Sequence, residues 1–352
     1  MTSFALRLVA WQRIHGRHDL PWQGADAYRV WLSEVMLQQT QVGTVIPYFQ
    51  RFVAAFQNIE SLASATEEHV LSHWSGLGYY ARGRNLHRAA QIIVSEHQGT
   101  FPNQFEQIQK LPGIGRSTAA AICALAYHES RAILDGNVKR VLSRCCGIEG
   151  WAGDKKVEAQ LWQHAERLIP KSDIAIYTQA LMDLGATVCT RGRPRCPLCP
   201  VQSDCIAWQT GRVAELPAAR PRKNLPQRHT TFLLLKVGNE IMLEKRPGSG
   251  IWGGLWCPPQ FEDEVAAKAW FEQNNLRASE GQRLQTFSHT FSHFKLFITP
   301  LLIHLAHKPA SDNKAGNMWL EVEDVLRAAI PTPVRKILAD IYQKQDKTNR
   351  RG

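Results

Sequence analysis

Apolar residues recur every three or four positions through the first two hundred residues and then switch to alternation. Near the start, Phe4, Leu8 and Trp11 share one face of an amphipathic helix. YRVWLSEVMLQQTQV sets Trp31, Leu32, Val35 and Met36 beside a polar stripe of Glu34, Gln38 and Gln41, which predicts one helix through all of them. FEQIQKL puts Phe105, Ile108 and Leu111 on one face, and RSTAAAICALAY turns Ala119, Ile122 and Leu125–Ala126 inward. From residue 211 to 228 three prolines and five Lys/Arg stand against one acid, an extended basic linker. After it come the β-like runs TTFLLLKV, EIMLEKR and HFKLFITPLLIHL, the last alternating through Phe294, Leu296 and Ile298. The fold class is therefore multidomain. An all-α domain spans 1–210 and an α+β domain spans 229–345, with a polar, frayed tail over 346–352.

The 352 residues are enough for two cores, and 44% hydrophobic with 21% charged residues is the composition of a folded chain. The N-terminus has no apolar stretch long enough for a signal peptide, and no window approaches the roughly 18 apolar residues of a membrane span. A soluble, monomeric protein of the cytoplasm is expected. The 42 Lys+Arg exceed the 31 Asp+Glu by 11, which favours a polyanion such as nucleic acid as partner, although solubility alone accounts for it too.

Between the helices around Ile108 and Ile122 stands LPGIGRS. Pro112 stops the first helix, and Gly113 and Gly115 allow backbone conformations and close approaches that other residues do not. N–H groups of such a turn, beside a helix N-terminus, suit a phosphate; a plain helix-turn-helix connection explains the same pattern.

Four cysteines, Cys189, Cys196, Cys199 and Cys205, lie within 17 residues, flanked by Arg191, Arg193 and Arg195. In a chain without an export signal such a cluster points to metal and not to disulfides. The spacing suits one metal ion or a [4Fe–4S] cluster, and only Cys196–Cys199 forms the CxxC knuckle usual for zinc.

Carboxylates stand at Glu34 and Asp135. Glu34 by itself reads as a solvated helix residue and Asp135 as a helix cap. Two carboxylates in different environments are also the usual apparatus for splitting a glycosidic bond. GLGYYARGRN puts Tyr79 and Tyr80 beside Arg82 and Arg84, suited to stacking on or wedging between bases, or equally to core tyrosines with surface arginines. FSHTFSHF repeats Phe-Ser-His, and His289 and His293 lack the further ligand a zinc site needs.

Taken together, WLSEVMLQQTQV, GLGYYARGRN, LPGIGRSTA, LDGNVKRV and the four cysteines resemble the helix-hairpin-helix DNA glycosylases that carry an iron–sulfur cluster. RPGSGIWGGLW and HTFSH, behind a linker, narrow the resemblance to the MutY-type adenine DNA glycosylases with a Nudix-like second domain. It covers nearly the whole chain and is weakest past Ala310. It implies base-excision repair of adenine paired with 8-oxoguanine or guanine in double-stranded DNA, with Cys189, Cys196, Cys199 and Cys205 holding a [4Fe–4S] cluster that supports DNA binding. Glu34 matches the catalytic acid, Asp135 the carboxylate that stabilises the sugar cation, and Asn137 an assistant at the same centre. Tyr79 and Gln38, with Gln39 next to it, match residues beside the 8-oxoguanine. Leu111, Gly113, Gly115 and Ser117 form the DNA-binding hairpin, and Phe291, Ser292 and His293 the loop that senses the lesion. Related endonuclease III-type enzymes carry, where this chain has Ser117, a lysine that attacks the sugar and cuts the strand. Serine there implies base release without strand cutting. The second domain lacks the carboxylate run of Nudix hydrolases, so it is expected to recognise DNA and not to hydrolyse nucleotides.

Overall fold

Several helix starts are set by side-chain caps. In a computed structural model that describes residues 3–221, 224–274, 281–308 and 316–349, α1 (Phe4–His15) begins after Ser3, whose hydroxyl accepts from the Leu6 N–H. α2 (Ala27–Leu37) begins after Asp26, whose carboxylate accepts from the Arg29 N–H. There follow α3 (Val42–Ala55), α4 (Ile59–Ser64), α5 (Glu67–Trp74), α6 (Ala81–His97), α7 (Phe105–Lys110) and α8 (Arg116–Tyr127). α9 (Gly136–Cys145), α10 (Lys155–Arg167), α11 (Ile174–Asp183) and the short α12 (Ile206–Gln209) complete the helical part.

Contacts divide the chain into two units, Met1–Ser64 with Asn85–Arg222, and Ala65–Arg84 with Lys223–Gly352. The stretch 65–84, with α5 and most of GLGYYARGRN, thus packs as part of the second unit. The core of the first gathers α1, α8, α9, α10 and α11 around Leu8, Ala124, Val138, Leu161, Ala180 and Leu184, all fully buried. Ala119 to Ala124 are buried in succession, their small side chains allowing close helix contact, while Leu125 and Ala126 are only half-buried where α8 ends.

One helix does not run through the glutamines. α2 stops at Leu37, Gln39 takes a left-handed φ of 59°, and Gln41 caps α3, so the stripe Glu34–Gln38–Gln41 is broken. Gln38 to Gln41 offer no apolar side chain to carry the buried face onward, and α3 starts a new one with Val45, Phe49 and Phe52.

The second unit is built on a mixed sheet. Its strands are β1 (Gln227–Val237), β2 (Glu240–Lys245), β3 (Trp256–Cys257), β4 (Gln260–Phe261), β5 (Gln282–Arg283), β6 (Phe287–Thr290), β7 (Lys295–His304) and β8 (Asn317–Glu321). The order is β3-β2-β1-β7-β5, with β4 on β1, β6 on β7 and β8 on β2. β1 and β7 run parallel, from Gln227 opposite Lys295 to Lys236 opposite His304. Phe232 to Leu235 are all completely buried, as a strand covered on both faces requires. α13 (Glu264–Gln273), α14 (Val322–Val325) and α15 (Thr332–Asn349) accompany the sheet. β1 starts within the stretch read as linker, and α15 stays helical to Asn349; residues 350–352 of the expected tail lie outside the described residues. Among the described residues no helix is long and apolar enough to cross a membrane.

Candidate active site

Asp135 is the N-cap of α9 and accepts from the Val138 N–H at 2.8 Å. The Asn137 side-chain amide donates to its other oxygen at 3.4 Å. Asn137 is in turn held by Arg140, whose guanidinium donates to the Asn137 side-chain oxygen at 2.9 Å, to the Gly185 carbonyl at 2.7 Å and to the Cys189 carbonyl at 2.8 Å. Gly185 lies in the π-turn Leu184–Val188, where the chain runs against α9: a Cβ there would stand 2.5 Å from the Asn137 Cβ. Arg140 and Gly185 were missed from sequence. The one signal was the position of Arg140, one helical turn beyond Asn137.

Glu34, on α2, is the second carboxyl. Burial pushes it up to about 8, and the charge of Asp135 pushes in the same direction. Asp135 is also raised by burial, but there the N–H groups of Val138 and Asn137, the Arg140 charge and the Asn137 amide all pull back. Burial thus raises both carboxyls, but only the anion of Asp135 is offset by several donors. Asp135 has donors that favour its anion, so Glu34 is the one that keeps the proton near neutral pH.

Gln38 leaves α2 towards the hairpin, donating at 3.4 Å to the Gly113 carbonyl and at 3.3 Å to the Thr118 hydroxyl. Gly113 has a φ of +79°, which favours glycine, and an added Cβ would come 3.0 Å from Asn85. Gly113 and Gly115 are exposed, and Gly115 caps α8 with no side chain, so no side chain caps the first N–H groups of that helix. Two hairpin side chains have partners within the protein. The Leu111 side chain is buried in the core, leaving only its backbone for DNA. The Ser117 hydroxyl is already engaged, accepting from the Leu134 N–H at 2.9 Å. Gln39 is exposed.

In the second unit, Tyr79 is 57% exposed with a φ of 47°, whereas Tyr80 and Arg82 are buried. GLGYYARGRN is divided: one tyrosine is exposed, the other is core, and the Arg82 guanidinium lies 5.5 Å from both the Tyr79 and Trp74 rings. Phe291 turns the hairpin from β6 into β7 and stacks on Phe294 at 4.7 Å and against Trp252 at 5.4 Å. Ser292 and His293 stay exposed at its tip, their side chains 3.3 Å apart. His289 sits on a strand and not on the helix that a zinc pair would use.

Cys189, Cys196, Cys199 and Cys205 are free thiols lining one small cavity with Arg144 and Val188. Burial raises the thiols of Cys196, Cys199 and Cys205, that of Cys199 to about 11. Arg144, 4% exposed, donates to the Cys189 sulfur at 3.4 Å and to the Thr190 carbonyl at 2.8 Å. Among the described residues no three such side chains are gathered as a single-ion site.

Two family models match the chain: the HhH-GPD superfamily of base excision DNA repair proteins over residues 32–167, and the NUDIX domain over 230–340. An adenine DNA glycosylase of Buchnera aphidicola subsp. Acyrthosiphon pisum is 40% identical over 95% of this chain and 96% of its own length. The adenine DNA glycosylase of Mus musculus is 35% identical over 100% of this chain and 80% of its own. A solved thermostable thymine-DNA glycosylase superposes with a TM-score of 0.52 at 25% identity, over 59% of this chain and 95% of its own.

Proposed function

The chain belongs to the adenine DNA glycosylases, and on that footing we propose that it hydrolyses the N-glycosidic bond of adenine paired with 8-oxoguanine or guanine in duplex DNA and leaves the strand uncut. The observation that carries the chemistry is the pair Glu34 and Asp135, one carboxyl held protonated to about 8 beside another furnished with donors to its anion. Adenine leaves poorly unless protonated, most usefully at N7, and an ordinary glutamate near 4.3 would have lost its proton at neutral pH. Glu34 delivers that proton. Asp135, with Asn137 beside it, faces the oxocarbenium-like sugar as the bond breaks, and water completes the hydrolysis. The adenine must first leave the stack, at about a few kcal/mol that a mispair lowers. Tyr79 and Gln38 take the space beside the 8-oxoguanine, and Phe291, Ser292 and His293 read it. The Gln38 contacts to the hairpin are long, and a base edge can replace them.

The four thiols line one cavity, and the buried Arg144 guanidinium donates to the Cys189 sulfur, a donor set that fits a [4Fe–4S] cluster. When bound, it supplies a brace for the basic loop with Arg191, Arg193 and Arg195. The absence of an amine at Ser117 supports release of adenine without lyase action. A labelled duplex holding one adenine opposite 8-oxoguanine tests this. Breakage only after hot alkali is expected, strand cutting without alkali would overturn the uncut-strand part, and no product despite binding would overturn the chemistry.

A further inference from the structure

We propose that the segment from Ile330 into the first turn of α15, as far as Arg335, is a clamp that sets the Tyr79 loop, with Ser75 and Arg335 as its positioning residues; this rests on the reading of Tyr79 as the residue inserted into the duplex. One backbone carbonyl, that of Ile330, accepts from the Ser75 hydroxyl at 3.0 Å and from the Tyr80 hydroxyl at 2.9 Å. These two residues flank the four-residue loop Gly76–Tyr79. Arg335 donates to the Ser75 hydroxyl at 2.8 Å and to the Leu326 carbonyl, so the Ser75 hydroxyl both gives and receives. Ile330, Ser75 and Tyr80 are all buried.

Both ends of the loop are thus fixed to one atom, and the residue before it is tied to the sheet. The Trp256 N–H, in β3, donates to the neighbouring Ala329 carbonyl at 2.9 Å. Within the loop, Gly76, Gly78 and Tyr79 have φ of 104°, 72° and 47°. A tyrosine in the left-handed region persists only where its surroundings impose it. From behind, Trp74 and Arg82 donate to the Gly78 carbonyl at 3.2 and 3.3 Å. The clamp holds the exposed ring in place before DNA arrives, so binding need not order the loop.

The test uses the full chain and a duplex with adenine opposite 8-oxoguanine and 2-aminopurine next to the 8-oxoguanine, whose fluorescence rises when its stack is opened. Arg335→Met and Ser75→Ala are each expected to weaken the DNA complex by about tenfold and to lower the fluorescence rise, as loss of one positioning bond should. Arg335→Lys restores part of it. In a Tyr79→Ala background neither change should cost more, because the group they position is gone. If Arg335→Met and Ser75→Ala keep full affinity and signal, or cost their tenfold undiminished without Tyr79, the clamp is wrong while the wedge stands. If Tyr79→Ala itself changes nothing, the wedge reading falls and the clamp with it. Should Arg335→Met melt below the assay temperature, Ser75→Ala decides on its own.

Discussion

The Leu134 backbone N–H donates to the Ser117 hydroxyl at 2.9 Å, so the helix after the hairpin holds the residue directly before Asp135. The side chain that marks the absence of a lyase amine is also a strut of the carboxylate it sits near. Ser117→Ala leaves that N–H without its acceptor, at about 1–3 kcal/mol of stability. A small shift of Asp135 follows, and single-turnover excision slows by roughly tenfold or more. DNA affinity, measured by titration at fixed salt, stays close to that of the parent.

Glu34 carries a cost in the folded state. Its folded value near 8 lies above its ordinary 4.5, so its contribution to stability is fully present below 4.5, is lost as pH rises between the two, and is flat above 8. Glu34→Gln removes the titration. The variant should gain stability over the parent by an increment that grows from pH 4.5 to 8, up to about 5 kcal/mol as an upper bound. Denaturant melts at several pH values check the sign, and an increment that shrinks with pH would contradict it.

Gly185 tests the packing behind the site. A Cβ there would meet the Asn137 Cβ at 2.5 Å and its Cα at 3.1 Å, and backbone cannot step aside as a flexible side chain can. Gly185→Ala is expected to cost about 1–3 kcal/mol by overpacking. It should also slow excision by roughly a hundredfold through displaced Asn137 and Asp135. Iron content should stay at the parent level, which separates this effect from cluster loss.

Cys199→Ser addresses the cluster loop. Iron binding and its visible absorbance should be lost, and DNA affinity should fall by about tenfold or more because Arg191, Arg193 and Arg195 lose their frame. Affinity unchanged in the iron-free variant would show that the loop holds its shape without the cluster.

Much of this was legible in sequence because it is local. Periodicity found the helices around the hairpin, Pro112 and Gly113 marked the turn, and Asp135 announced itself as a cap. What escaped was long-range. Nothing in GLGYYARGRN says that Tyr80 is buried on the Ile330 carbonyl, 250 residues away, while Tyr79 faces out. The glutamine stripe overstates the helix because polar residues at helical spacing look alike whether the helix continues or stops. Leu111 and Ser117 sit in a motif that suggests DNA contact, yet the core claims one side chain and Leu134 the other. Arg140 was hidden because a lone arginine on a helix reads as surface charge until the fold brings Gly185 and the Cys189 carbonyl to it.

The central claim is that burial keeps Glu34 protonated as the acid for adenine, and the pH dependence of single-turnover excision tests it most directly. With saturating DNA, the rate should hold up to about pH 8 and then fall about tenfold per unit, following one deprotonation. Glu34→Gln should be inactive throughout while still binding. A rate that begins its fall near the ordinary glutamate value of about 4.3, or shows no break above neutrality, would contradict the account.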